Sequence, residues 1–213
     1  VQLVKATARF ESANEVHLEG QEVEISRFKF RHAIIATGSE TIPLPGISFK
    51  PGGRIMDSTG ALELADVPEK LLVVGGGYVG VELGSVYTAL GSRVTMVEMD
   101  ERLMVGADAD LVRPLLQRLE EQFEAIHTKT KVTAFEEKEA CVEVTLEGEV
   151  DKPRQTFDRV LVAIGRRPNS KGIGLENTKV KVDEQGFITV DEQRRTTDEK
   201  IFAVGDVVGG AML

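Results

Sequence analysis

Near the start of the chain, apolar and polar residues alternate. Ala6, Ala8 and Phe10, then Val16 and Leu18, then Val23 and Ile25 are separated by polar turns at Ser12-Ala13-Asn14 and Glu19-Gly20. A period of two belongs to half-buried strands, so the pattern predicts a small antiparallel β-meander. An apolar run, Ala33-Ile34-Ile35-Ala36-Thr37-Gly38-Ser39, predicts a further strand ending in small residues, and a Pro- and Gly-rich loop covers 43–53. Beyond Val67-Pro68 the pattern changes. Leu71-Leu72-Val73-Val74 is a continuous apolar run of the buried, parallel kind, and Val79, Leu83, Val86 and Leu90 then repeat at helical spacing up to Gly91. Arg93-Val94-Thr95-Met96-Val97 predicts the next strand. A second helix is expected over Leu111, Leu115, Leu119 and Phe123, with Pro114 near its first turn or at a kink. Further strands are expected around 131–136, 141–146, 157–164, 186–190 and 201–206. Strand, helix and strand in succession predict an α/β fold with a parallel sheet.

The junction between the first buried strand and its helix holds the most specific chemistry. Gly75-Gly76-Gly77-Tyr78-Val79-Gly80 fits the pattern G-x-G-x-x-G. In such a unit Gly75 permits the tight strand-to-helix turn, Gly77 lets the backbone approach a pyrophosphate, and Gly80 allows close helix–strand packing. The helix N-terminus, with unpaired N–H groups and the positive end of its dipole, favours an anion. Glu98 closes the following strand about twenty residues on, where a carboxylate accepts hydrogen bonds from a ribose. A carboxylate there repels a 2′-phosphate, so NAD is expected over NADP; Arg93 and Arg102 nearby weaken that preference slightly.

Composition narrows the classes. With 213 residues, 41% hydrophobic and 29% charged, the chain has the make-up of a soluble globular protein. A formal net charge of −9 argues against nucleic acid or an anionic membrane as the main partner, and no apolar run reaches membrane-spanning length. Cys141 is the single cysteine and lies in an alternating strand pattern, which favours a structural over a reactive role and a reducing, cytoplasmic compartment. His17, His32 and His127 show no partner pattern, and neither a metal site nor a catalytic residue is expected.

Five stretches stand in an order that adds a further meaning. They are AIIATGS at 33–39, GRIMDS at 53–58, GGGYVGVELGSVYTALGSRVTMVE at 75–98, VLVAIGRRPN at 160–169 and IFAVGDVVGGAML at 201–213. Together they resemble the two-dinucleotide disulfide oxidoreductase family, in its dihydrolipoamide dehydrogenase branch; glutathione and mercuric reductases share the framework. The resemblance implies a Rossmann-like NAD-binding domain at 67–190 inserted into a partial FAD-binding domain, whose parts are 1–66 and 191–213. It implies FAD contacts at Thr37, Gly38, Ser39, Asp206 and Met212, beside Leu213. NAD contacts are implied at Gly75, Gly76, Gly77, Tyr78, Val79, Gly80 and Glu98, with Val132 on the adenine side and Ala163 to Gly165 near the nicotinamide.

Tyr78 resembles a gate over the flavin; packing of the helix start is an equal alternative from the residues alone. Glu82 matches a family carboxylate that pairs with a lysine, although the residues by themselves favour a solvated helix face. No CxxxxC pair and no second G-x-G-x-x-G occur before residue 33, and no His-Glu dyad or dimerisation domain follows. An internal segment of a longer enzyme is therefore expected, inactive alone. Its parent would oxidise dihydrolipoamide carried on lipoyl domains of 2-oxo acid dehydrogenase complexes, as a homodimer, in the cytoplasm or in a mitochondrial matrix. A stand-alone dinucleotide-binding module, or a segment of a mercuric or glutathione reductase, is the alternative; Glu98 argues against the NADP-using glutathione branch.

Overall fold

The computed structural model describes residues 1–20 and 26–212, so Val23, Ile25 and Leu213 lie outside the described residues. The chain forms two compact units, one of 1–40 with 166–212 and the other of 41–165.

In the second unit, strands β6 (Ile55–Met56), β7 (Lys70–Val74), β8 (Arg93–Val97), β9 (Ala125–His127) and β13 (Arg159–Val162) form a parallel sheet in the order β6-β13-β7-β8-β9. Successive side chains on a strand point to opposite faces. Leu71, Val73, Val94, Met96 and Leu161 therefore face the helices α1 (Ser58–Leu62), α2 (Tyr78–Ala89) and α3 (Ala109–Gln122). Leu72, Val74, Val97, Val160 and Val162 face the other way, onto an antiparallel sheet of β10 (Lys131–Glu137), β11 (Val142–Glu147) and β12 (Arg154–Phe157). Burial on both faces explains why the β7 sequence is a continuous apolar run. On β11 only one face is covered: Val142, Val144 and Leu146 are buried while Glu143 and Glu147 are exposed.

The first unit holds an antiparallel N-terminal meander, β1 (Thr7–Ser12), β2 (Glu15–Glu19) and β3 (Arg27–Lys29); β1 and β2 fall on the alternating residues as predicted, whereas β3 follows the third expected run, which lies outside the described residues. Two short pairs complete it: β4 (Ala33–Ile35) runs parallel to β15 (Ile201–Ala203), and β5 (Ser39–Thr41) pairs with β14 (Arg166–Pro168). Phe10, Ile35, Leu175, Ile188, Ile201, Ala203 and Val207 form its core.

The limits expected at 67 and 190 fall elsewhere than the limits of these units. Residues 55–56 join the parallel sheet through β13, while Ser170 Oγ donates to Gly186 O and Ile188 N–H to Val207 O, holding that stretch in the first unit. Five expectations need correction. The run at 157–164 is two strands, because the chain turns at Asp158, whose N–H donates to Lys70 O and whose carboxylate accepts the Lys70 N–H. At 186–190 there is a single bridge, Val182 to Ile188, and at 201–206 the strand stops at Ala203 and a 3₁₀ turn covers Gly205–Val208. On α2 the buried face is Gly80, Val81, Leu83, Gly84 and Tyr87, with Val86 and Leu90 45% and 48% exposed. Similarly, Leu111 on α3 is exposed, and Val112 takes the buried place beside Leu119.

Two outcomes follow from this packing. Leu119→Ala, at a site 1% exposed, is expected to cost about 2–5 kcal/mol in urea unfolding, whereas Leu111→Ala, at 68%, should stay within about 0.5 kcal/mol. Equal losses would contradict the assigned face. The second outcome concerns Asp66, whose carboxylate receives two N–H groups of Arg159; this hydrogen bonding holds the Asp66 carboxyl below its ordinary value. A folded-state value below the unfolded one stabilises the protein above the ordinary Asp value of about 3.9, and that contribution is lost as pH falls through the folded value. Asp66→Asn should therefore be less stable than the parent at neutral pH and converge with it in acid, a difference readable from thermal melts across pH.

Candidate functional site

The turn after β7 is built by glycines that no other residue could replace at two points. Gly75 holds φ +107°, and a Cβ there would stand 2.4 Å from Ala163 O, on the neighbouring strand's exit. At Gly80 a Cβ would stand 2.0 Å from Gly75 O, so the first turn of α2 lies directly on the backbone that precedes it. Gly77 is the N-cap of α2, and a Cβ there would meet nothing within 4 Å. The helix thus begins at an open face with its first N–H groups directed outward. Tyr78 is 42% exposed beside it, while Val79 packs on the helix-side core.

Glu98, at the end of β8, is tied to this turn. Its Oε2 accepts the Gly76 N–H at 2.6 Å, and its Oε1 accepts the Asp100 N–H at 2.8 Å. Its backbone is fixed as well, N–H to His127 O and C=O from the Thr130 N–H. Each carboxylate oxygen retains a lone pair for a further donor such as a ribose hydroxyl. The two cations that the sequence sets near Glu98 are occupied elsewhere. Arg93 pairs with Glu69 and Glu124 at the opposite end of β8, and Arg102 donates to the carbonyls of Val105 and Ala107.

Ala163 lies against the Gly75 turn, its N–H on Val74 O; Gly165 accepts the Ile42 N–H. Val132, on β10, is half-buried against the second face of the parallel sheet. Glu82 is exposed on α2. Cys141 is half-buried just ahead of β11. Among the described residues no group of three or more His, Cys, Asp or Glu could hold a metal ion, and no helix is long and apolar enough to cross a membrane.

In the first unit, Ser39 bonds Asp206 directly, and Asn169 and Arg166, which sequence reasoning missed, hold Thr37 and Ser39 respectively. Thr37 Oγ1 donates to Asn169 O at 2.7 Å, and Asn169 Nδ2 donates back to Thr37 O at 3.0 Å. Gly38 stands between them at φ +68° with open space where a Cβ would be. Ser39 Oγ donates to Asp206 Oδ2 at 2.6 Å and accepts Arg166 Nε at 2.7 Å, while Arg166 Nη2 donates to Ser39 O at 2.8 Å. A guanidinium, a hydroxyl and a carboxylate in series keep the Asp206 carboxylate in one orientation, half-buried at the start of a 3₁₀ turn. The signal for Arg166 was the paired arginine after Gly165; only the fold shows which of the two turns inward, since Arg167 pairs with Glu40 at the surface. Met212 lies four residues beyond that turn, half-buried, with φ +46°.

The pattern of the family described as pyridine nucleotide-disulphide oxidoreductase matches residues 1–213. A dihydrolipoyl dehydrogenase of Vibrio parahaemolyticus is 45% identical over 214 residues, covering 100% of this chain and 44% of that protein. One of Geobacillus stearothermophilus is 40% identical, with 100% and 45% covered. The chain therefore spans less than half the length of the curated relatives it matches. Among solved structures, the HOCl-induced flavoprotein disulfide reductase RclA from Escherichia coli superposes with a TM-score of 0.84 at 30% identity, over 98% of this chain and 46% of that one. LpdA from Mycobacterium tuberculosis, 24% identical with a TM-score of 0.81 over 96% of this chain and 45% of its own, shares the fold. A match over the whole chain, joined to a glycine turn locked onto a strand-end carboxylate, shows that the chain belongs to the pyridine nucleotide-disulphide oxidoreductase family.

Proposed function

We propose that this chain carries the NAD-binding part, with flanking FAD-contacting segments, of a flavoprotein disulfide oxidoreductase of the dihydrolipoyl dehydrogenase type. The observation that carries the reading is Glu98, held by Gly76 and Asp100 N–H groups at the mouth of the glycine turn. The residues present suit a dinucleotide. Open space at Gly77 admits a diphosphate to the α2 N-terminus, and a fixed acceptor at Glu98 stands where a ribose would lie. Glu98 would hold the ribose hydroxyls and repel a 2′-phosphate, while Gly77, Tyr78 and Val79 would offer N–H groups to the diphosphate. Val132 would flank the adenine, and Ala163 and Gly165 the nicotinamide half. In the first unit, Thr37, Gly38, Ser39, Asp206 and Met212 would border FAD, with Asp206 oriented by Ser39.

When bound, FAD and NAD supply the hydride chemistry; the chain binds, orients and sets the local charge. In the whole protein, electrons from protein-bound dihydrolipoamide would pass through a redox disulfide and FAD to NAD. Lipoyl domains of 2-oxo acid dehydrogenase complexes are the proposed partners, a homodimer the proposed assembly and the cytoplasm the proposed location, in keeping with the bacterial relatives.

Cofactor choice is the direct test. The chain should bind NAD more tightly than NADP in calorimetry, and Glu98→Ala should weaken NAD about 10- to 100-fold while narrowing that gap, because hydrogen bonds to a charged acceptor are worth about 1.5–3 kcal/mol. Equal affinities in the unmodified protein would overturn the assignment of Glu98. A second test concerns the dithiol step. Mixed with FAD, NAD and reduced lipoamide, the 213-residue chain should produce no NADH absorbance at 340 nm beyond a protein-free control, since a redox disulfide needs two cysteines and the sequence contains Cys141 alone. Lipoamide-dependent NAD reduction by this chain would place the chemistry in residues other than a cysteine pair.

A further inference from the structure

The loop after Glu98 is closed on itself by one side chain. Arg102 Nη2 donates to Val105 O at 2.9 Å and Nη1 to Ala107 O at 3.2 Å, and the Ala107 N–H returns to Met104 O at 2.8 Å. The closed loop presents two groups to the glycine turn. Leu103 is buried, with Cδ2 lying 2.3 Å from where a Gly76 Cβ would stand. The Met104 N–H donates to Gly76 O at 2.9 Å. Met104 does so from φ +49°, a backbone conformation that costs a non-glycine residue free energy and persists only where its surroundings impose it. The two bonds of Arg102 close the loop around that residue.

The consequence reaches the next peptide. Gly76 C=O and Gly77 N–H belong to one peptide plane, and no peptide bond among the described residues is cis. In a trans peptide these two groups point in opposite directions. With Gly76 O fixed on Met104, the Gly77 N–H points away from the loop, and among the described residues no protein acceptor takes it. Glu98 grips the other end of Gly76 through its N–H, so that residue has both backbone groups engaged and is left none to offer a ligand.

We propose that Arg102 is a positioning residue for dinucleotide binding: by closing the 102–107 loop it sets the Gly76–Gly77 peptide so that the Gly77 N–H faces the diphosphate. This rests on the NAD reading given above. Arg102 is assigned this role through the loop: its guanidinium donates to two backbone carbonyls within 102–107. Gly76, for its part, serves as the anchor of the turn and not as a phosphate donor.

The test uses the full chain, NAD as the probe, calorimetry for affinity and ¹H–¹⁵N spectra for the Gly77 amide. In the parent protein NAD should move the Gly77 amide proton downfield, as a new bond to phosphate requires, and leave the Gly76 amide little changed. R102A should weaken NAD about tenfold and lose most of the Gly77 shift. R102K keeps the charge but lacks the fork that reaches two carbonyls, so it should fall between R102A and the parent. If R102A does not fold, R102K alone decides: parent-like affinity there means that charge suffices and overturns the positioning role. Parent-like affinity and an intact Gly77 shift in a folded R102A overturn it also. A parent chain that binds no NAD overturns the functional reading and, with it, this inference.

Discussion

The contact between Gly80 and the Gly75 carbonyl governs the rest of the inserted unit. With no room for a Cβ between them, α2 can begin only if it lies flat on the end of β7. That placement lays Val81, Leu83 and Tyr87 on the sheet face made by Leu71 and Val73. It also brings Gly84 against Phe123, where a Cβ would stand 3.0 Å from the ring, so the end of α3 closes over the same surface. Buried tyrosine follows from this as well: Tyr87 Oη donates to Ala61 O and links α2 to α1. Interiors packed this closely transmit a displacement of one element to its neighbours. A change at Gly80 would thus be felt along three helices and at the carboxylate of Glu98.

Much of this was legible in the sequence, and the reasons for the misses are specific. The meander, the β7 strand, the glycine turn and the β8 strand were all visible, because periodicity and glycine chemistry are local properties. The helix faces are harder to read, because large apolar residues do not mark the core on them. On α2 the closest contacts are made by glycines, which add nothing to an apolar stripe, and Val86 and Leu90 are left outside. The break at Asp158 depends on an exchange of hydrogen bonds with Lys70, far away in the chain, and no local pattern encodes it.

The candidate sites show the same division. Glu98 could be expected from its spacing, but not that its carboxylate is already bonded to Gly76 and Asp100. Likewise, Ser39 and Asp206 were each singled out, yet their direct hydrogen bond and the Arg166 behind it join parts of the sequence that only folding brings together. In both places the recognisable side chain is held by a less conspicuous neighbour. Such neighbours fix orientation, and orientation is where much of the free energy of binding by polar groups is gained or lost.

The division of the first unit into 1–40 and 166–212 has a consequence for biosynthesis. β4 emerges from the ribosome long before β15, its parallel partner, exists. Synthesis at roughly 5–20 residues per second leaves Ile34 and Ile35 waiting on the order of ten seconds, time enough for the inserted unit to fold first. During that interval the early strands are an unpaired, partly apolar edge of the kind that chaperones protect and aggregates capture. Translation speed through 36–203 therefore sets how long the nascent protein is vulnerable.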